Sequence, residues 1–251
     1  MIVVTDLDAT LLDDAYSWQA AAPAIAALRA RGIPLVLNSS KTVAEMQTLA
    51  EELRTDAPIV AENGGAMRVG NETRILGLPR KQILAVAHGL RSSQGYGFAG
   101  FADWTTAEIA TRTGLDWESA GRAGQRVATE PIIWQDSALR KEAFEARLQA
   151  EGIRCLLGGR FTHLMGVSDK ADGLCEVRNL LGGPVIALGD SPNDEAMLAA
   201  ADIAVVIPNS HSPAIAPKAS RVIYADLPGP AGWNAAILSI LDEYTGDSSN
   251  G

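Results

Sequence analysis

Two acidic clusters, each following a short apolar run, are the residues of this 251-residue chain best placed to do chemistry. The first is Asp6-Leu7-Asp8-Ala9-Thr10, behind IVVT at 2–5. The second is Gly189-Asp190-Ser191-Pro192-Asn193-Asp194, at the end of VIALG at 185–189. Carboxylates are costly to bury unless they are paired or hold a cation, but at the carboxyl end of a strand they can face a crevice instead. Asp6 and Asp8 stand two apart, so an extended chain lets both address one site. One could then attack an electrophile while the other handles a proton. Taken alone, this cluster leaves open a reading as helix capping and loop solvation. The second cluster changes that, because parallel strands deliver both to one sheet edge. Asp6, Asp190 and Asp194 then form a hard, all-oxygen site suited to Mg2+, whose charge removes their repulsion.

Such clusters need strands behind them. IVVT at 2–5, IPLVLN at 33–38 and PIVAEN at 58–63 are apolar runs without alternation, as expected of strands covered on both faces. Between them, Ala20 to Arg31 has Pro23 near its start and Gly32 beyond its end, and TVAEMQTLAEEL at 42–53 opens on a Thr42–Glu45 capping box. Both read as helices. The rhythm returns late in the chain: VIALG, a helix over 195–201, a strand IAVVIP at 203–208 and an edge strand RVIYA at 221–225. A loop at Gly229–Gly232, a last helix at about 233–244 and a frayed tail GDSSNG close the chain. This alternation predicts an α/β layer with parallel pairing. Residues 79–165 differ in texture, holding Trp104, Trp117, Trp134 and most of the arginines. TTAEIATRTG at 105–114 and DSALRKEAFEARLQAEG at 136–152 read as helices, with strands and turns at 95–100 and 153–159. We expect a second α/β unit inserted into the first, dividing the chain into 1–78, 79–165 and 166–251 with the cleft between them.

Composition excludes several classes. Hydrophobic residues at 47% and charged residues at 20% rule out a disordered chain. Lys and Arg number 21 against 30 Asp and Glu, a formal charge of −9, which argues against a nucleic-acid binder. It leaves room for an anionic small substrate, since a local basic cluster reverses the field inside a cleft. Cys155 and Cys175 cannot build a disulfide framework, and the first apolar run is too short for a signal peptide or a span. A reduced, cytoplasmic setting with no membrane partner is the expectation.

DLDAT at 6–10 and GDSPND at 189–194, in that order and each after a strand, resemble the DxDxT and GDxxND signatures of the haloacid-dehalogenase-type phosphatase superfamily. The resemblance implies a three-layer α/β/α core with a mostly parallel sheet. An insertion after ENGG at 62–65 resembles the Cof-like subclass, whose α/β cap is of the C2B type. Two intermediate motifs then fall on Ser39 in VLNSSK and Lys170 in SDK at 168–170. In isolation Ser39 and Ser40 are ordinary turn residues and a lone lysine is surface solvation; Lys41 is a second candidate for the lysine's role. The family's mechanism makes Asp6 the nucleophile and Asp8 the acid and base. Mg2+ is held by the Asp6 carboxylate, the Asp8 carbonyl and Asp190, with Asp194 direct or through water. The family's usual glycine is Ala9 here, a small-for-small change that argues against a positive φ at that position.

NSSKTVAEM at 38–46, IVAENGGA at 59–66, Glu130-Pro131 with Trp134, and GGRFTHLMGVSDK at 158–170 closely resemble the mannosyl-3-phosphoglycerate phosphatases, and the likeness runs over nearly the whole chain. It implies a phosphorylated glycoside that carries both a phosphate and a carboxylate. Arg160 and His163, with Arg126 or Arg122, could meet those anions. Ser40, Lys41, Asn63 and Asn193 complete the expected substrate contacts, and Glu62 could organise the cleft or brace Lys170. Family members often read REASEP where this chain has GQRVATEP at 124–131, keeping Arg126 and Glu130-Pro131. His163 could instead be a satisfied interdomain histidine. The three tryptophans could form a sugar platform, with Trp104 and Trp117 more naturally cap-core residues. A glucosyl-3-phosphoglycerate or other sugar-phosphate phosphatase stays open, as does a sensor that binds without turnover. So does the choice between monomer and homodimer.

Overall fold

The computed structural model describes residues 1–158 and 160–247. Its first part runs β1 (Ile2–Thr5), α1 (Ala22–Ala30), β2 (Leu35–Asn38), α2 (Val43–Leu53), β3 (Ile59–Ala61), β4 (Ala66–Val69) and β5 (Glu72–Ile75). A middle part follows: α3 (Arg80–Gln94), β6 (Phe98–Gly100), α4 (Thr106–Thr113), α5 (Trp117–Ala123), β7 (Thr129–Trp134), α6 (Ala138–Ala150), β8 (Arg154–Gly158) and β9 (Phe161–Met165). The last part is α7 (Lys170–Leu181), β10 (Val185–Gly189), α8 (Glu195–Ala199), β11 (Ile203–Val206), β12 (Arg221–Tyr224) and α9 (Gly229–Asp247).

The first and last parts share one eight-stranded sheet in the order β12-β11-β10-β1-β2-β3-β4-β5, while the middle part builds its own four-stranded sheet, β6-β7-β9-β8. In the large sheet every pairing from β12 to β3 is parallel. The β4–β5 hairpin, which the sequence reading did not foresee, adds two antiparallel strands. The small sheet is antiparallel throughout. Alternation along β1 explains the three layers: Val3 points into the cluster built with α1, α2 and α9, whereas Ile2 and Val4 point into the cluster with α7 and α8. The small sheet is covered by α3 and α6 on one side, with Ile83, Phe144 and Leu148 at the centre. Phe101, Ile109 and Ala120 pack on α4 and α5, with Phe161 against them.

The expected capping box on α2 is present: the Thr42 hydroxyl accepts from Glu45 N–H at 3.1 Å and Glu45 Oε2 accepts from Thr42 N–H at 2.8 Å. Three expectations need correction. The loop placed at 229–232 is the first turn of α9, because Gly229 at φ 55° turns the chain directly into the helix. The helix after Asp194 stops at Ala199, two residues early. Trp117 is 64% exposed at the start of α5 rather than part of a cap core. Of the tail GDSSNG, residues 248–251 lie outside the described residues. Among the described residues, no helix is long and apolar enough to cross a membrane.

Candidate active site

Because the strands from β12 to β3 are parallel, their carboxyl ends open on one edge. Asp6 follows β1, Ser39 follows β2, Glu62 follows β3, Asp190 follows β10, and Asn209 lies beyond β11. Asp6 is fixed by its own backbone, whose N–H donates to Leu188 O at 2.9 Å. Lys170 enters from the first turn of α7 and is almost fully buried. Its Nζ donates to Asp6 Oδ1 at 2.5 Å and to Asp194 Oδ1 at 2.6 Å. Burial works against the ammonium, but Asp194 and Asp6 outweigh it and hold the Lys170 pKa above its ordinary value. Asp194 is fully buried, and its Oδ2 also accepts from Asp190 N–H, Ser191 N–H and the Ser191 hydroxyl. Asp190 accepts from Thr10 Oγ1 at 2.9 Å and from Asn209 Nδ2 at 2.6 Å.

Oxygen atoms of Asp6, Asp190 and Asp194 lie within 4.8 Å of one another. Three carboxylates there face the single ammonium of Lys170. Burial pushes the Asp6 carboxyl well above its usual range, with the neighbouring Asp194, Asp190 and Asp8 charges adding to the shift and Lys170 opposing it. Burial does the same to Asp190. A divalent cation answers that surplus of negative charge, and an all-oxygen set of this kind fits Mg2+. Asp6 and Asp190 are the residues that would hold it. Asp194, with Oδ1 on Lys170 and Oδ2 on the 190–191 loop, completes the same acidic group and holds that lysine beside Asp6.

The other expected residues divide into two groups. Ser39 is buried beside the cluster, its N–H donating to Val60 O at 3.1 Å. Asp8 is half exposed, and Lys41 Nζ reaches its Oδ2 at 2.9 Å; burial disfavours the Lys41 ammonium, but the Asp8 charge more than restores it. Asn63 is buried, and its Oδ1 has no hydrogen-bond partner. Asn193 serves its own loop, its Oδ1 accepting from Ser191 Oγ at 2.5 Å. On the side of the small sheet, Arg126 Nη1 donates to Ser40 O at 3.3 Å and to Thr129 Oγ1 at 2.8 Å, while its Nε is buried and unpartnered. His163 is buried on β9 with Nδ1 unpartnered; burial, with Arg126 nearby, pushes its pKa down to about 3, so the ring is neutral. Arg160 is not gathered into this group: it is exposed on the β8–β9 turn and donates to Thr113 O at the end of α4, at 2.8 Å. Arg122 turns to Ser119 Oγ. Trp104 packs on Phe101 and Phe161, and Trp134 on Tyr96 and Phe144.

Thr10, Asn38 and Asn209 were missed as site residues. Thr10 stands inside the DLDAT motif, and Asn38, whose Nδ2 donates to Lys170 O at 2.9 Å, closes the second strand. Asn209 follows IAVVIP, so its place at the same sheet edge was the available signal.

Comparison with known proteins agrees with this geometry. A model described as haloacid dehalogenase-like hydrolase matches residues 3–94. A glucosyl-3-phosphoglycerate/mannosyl-3-phosphoglycerate phosphatase of Persephonella marina is 34% identical, with 97% of this chain and 98% of that one aligned. A protein of the same description from Methanococcoides burtonii is 32% identical over 96% of this chain and 97% of the other. A solved haloacid dehalogenase-like hydrolase from Bacteroides thetaiotaomicron, only 20% identical, has the same fold with a TM-score of 0.69, covering 95% of this chain and 98% of that one. By this near-full-length similarity, and with its acidic cluster at the sheet edge, the chain belongs to the haloacid dehalogenase-like hydrolases, beside the glucosyl-3-phosphoglycerate/mannosyl-3-phosphoglycerate phosphatases, and is a phosphatase.

Proposed function

We propose that the protein is a Mg2+-dependent phosphatase that hydrolyses mannosyl-3-phosphoglycerate to mannosylglycerate and phosphate, with the glucosyl epimer as a second substrate. The observation that carries this reading is the near-full-length similarity to two phosphatases named for both compounds, on a chain whose Asp6–Lys170–Asp194 cluster is intact. Residues 1–78 and 166–251 supply the chemistry and residues 79–165 the recognition.

Lys170 occupies Asp6 Oδ1, which leaves Oδ2 as the oxygen that can attack. Asp6 Oδ2 forms a bond to phosphorus as the bond from phosphorus to the glycerate oxygen breaks, and Asp8 gives that oxygen its proton. Water then attacks the aspartyl-phosphate, passes its proton to Asp8 and frees Asp6. Ser39 donates to the transferring phosphoryl oxygens, and Lys170 holds Asp6 in line. When bound, Mg2+ supplies the positive charge that keeps Asp6 and Asp190 ionised and balances the phosphate. Arg126 and neutral His163 meet the glycerate carboxylate and the sugar; Ser40, Lys41 and Asn63 border the same cleft.

Phosphate release from the mannosyl compound, its glucosyl analogue and free 3-phosphoglycerate, with and without Mg2+, tests the reading. Both glycosyl compounds should turn over only with Mg2+. Each should exceed free 3-phosphoglycerate by about two decades in kcat/KM, roughly 2.7 kcal/mol of discrimination. Equal rates on all three would remove the sugar from the recognised substrate, and no turnover of any would sink the assignment.

A further inference from the structure

Glu62 is used by no step above, yet its side chain is fully buried. A buried carboxylate is costly without partners, and every partner here comes from the inserted unit. Oε1 accepts from Val127 N–H at 2.8 Å; Oε2 accepts from Ala128 N–H at 3.0 Å and from Thr129 Oγ1 at 2.7 Å. Ala128 itself packs into the hydrophobic cluster of the large sheet. Nearby, Thr42 Oγ1 donates to Arg122 O at 2.9 Å and Arg126 Nη1 reaches Ser40 O. A run of the inserted unit, 122–129, therefore lies along the loops after β2 and β3.

The backbone of Glu62 faces the other way. Its N–H donates to Lys41 O at 2.9 Å, and Asn63 N–H donates to Ser39 O at 3.0 Å. Glu62 and Asn63 both adopt left-handed φ, 54° and 56°, and Gly64 follows at 84°. Two such non-glycine residues in succession store strain that persists only where surrounding contacts over-determine it. Gly64 is pressed so close to α7 that a Cβ there would stand 1.8 Å from Asp169 O, one residue before Lys170. One residue thus ties the segment carrying Ser39 and Lys41, and the turn pressed against the start of α7, to the segment carrying Arg126.

We infer that Glu62 is a positioning residue: with the two chain crossings at 76–79 and 166–169, its carboxylate makes a third, non-covalent attachment of the inserted unit, and by fixing residues 127–129 it sets Arg126 above the Ser39–Lys41 loop. This rests on the reading that Arg126 meets the substrate. Glu62→Gln keeps the side chain's size but turns one acceptor into an amide donor that faces an N–H or hydroxyl donor. The attachment loosens while the phosphate-handling groups stay in place.

The test pairs a distance with kinetics. Spin labels on the exposed native Cys175 of α7 and on Leu139→Cys, 76% exposed on α6, report the separation of the two units. Cys155 is half-buried, and burial pushes its thiol up to about 12, so it competes poorly for the label. Glu62→Gln should broaden the distance distribution and raise KM for mannosyl-3-phosphoglycerate about tenfold, with kcat changed by less than about threefold. Thr129→Val, which removes one of the three bonds to Glu62 together with the bond that Thr129 Oγ1 accepts from Arg126, should broaden the distance distribution less than Glu62→Gln and raise KM in the same direction. It carries the test if Glu62→Gln does not fold. A distribution unchanged from wild type overturns the attachment whatever the kinetics show. A broadened distribution with unchanged KM overturns the positioning of Arg126. If the wild-type protein hydrolyses none of the compounds, the functional reading fails, and the distance measurement still decides the attachment by itself.

Discussion

At the edge of the large sheet, Asp194 accepts four hydrogen bonds and Lys170 bridges two carboxylates, with Asn38 Oδ1 and Asn63 Oδ1 left open beside them, whereas in the inserted unit Arg126 Nε, before β7, and His163 Nδ1, on β9, are buried without a partner. The contrast follows from what each side must handle. A phosphate group has the same shape in every ester, so the groups that act on it can be fixed by strand ends and by one another before any substrate arrives. On the proposed reading, sugar and glycerate vary between substrates, and the side chains that would face them sit on a unit with its own core. The polar groups that stay open on that unit are the ones a ligand can complete. On that reading, chemistry would be held by the sheet and selectivity by the insertion.

The largest effect that could break this contrast is at Asp6 and Lys170. Asp6→Asn should lower kcat on the order of 10⁴-fold, because the attacking oxygen is gone. Stability should not follow activity. Burial and the neighbouring charges hold the Asp6 pKa above its ordinary value, so its ionised form weakens the metal-free fold at pH 7. Asp6→Asn should leave the melting temperature of metal-free protein unchanged or higher. Lys170→Met does the reverse, leaving Asp6 and Asp194 buried and uncompensated, at about 3–5 kcal/mol. Phosphate release and thermal melts in a chelator check both. Equal destabilisation by the two variants would show that repulsion among the carboxylates does not govern the site.

His163 sharpens the comparison from the other side. In the unfolded chain its ring takes a proton near pH 6.5, but in the fold only near 3. A depressed pKa contributes stability that is complete above about 6.5 and is lost as the pH falls toward 3, at roughly 1.4 kcal/mol per pH unit. His163→Leu removes that titration. The difference in unfolding free energy between wild type and variant should be flat from pH 7 to 8 and fall steadily below 6.5. A flat difference down to pH 4 would mean that His163 takes its proton in the fold as readily as in the unfolded chain, and would overturn the claim that burial keeps its ring neutral.

How far these two sides were legible in the sequence differs for the same reason. The large sheet announces itself because strands buried on both faces are unbroken apolar runs, and DLDAT and GDSPND stand where those runs end. The Asp6, Asp190 and Asp194 grouping followed from parallel order alone. Lys170 and Ser39 were located by the family's motif order, since neither residue type carries such information by itself. The insertion was legible as helices and strands but not as a surface. Arg160, directly after Gly158 and Gly159, reads as poised for a ligand, and its guanidinium donates to Thr113 O at the end of α4. Asn209 carries no such signal, because an asparagine after a strand is ordinary turn chemistry until the strand's neighbour is known to end in Asp190.

Ala9 gives the smallest effect. Alanine at the family's glycine position argued against a left-handed backbone there, and the structure overturns that reading: Ala9 has φ 61°. The turn is held by Thr10, whose N–H donates to Leu7 O at 3.1 Å and whose hydroxyl binds Asp190, so the backbone keeps its path although the Cβ is strained. A left-handed alanine costs about 1–2 kcal/mol. Glycine removes that strain but returns about 0.4–1 kcal/mol of freedom to the unfolded chain. Ala9→Gly should therefore stabilise the protein by about 0.5–1 kcal/mol. On a domain of this length that is a rise of roughly 1–4 °C in Tm, with kcat unchanged, since Asp6 and Asp8 keep their positions. A lowered Tm would mean that the Ala9 methyl makes contacts worth more than its strain. A lowered kcat with raised Tm would mean that the same rigidity keeps Asp8 in reach of the leaving oxygen, which would extend the fixed character of the sheet edge to its most exposed carboxylate.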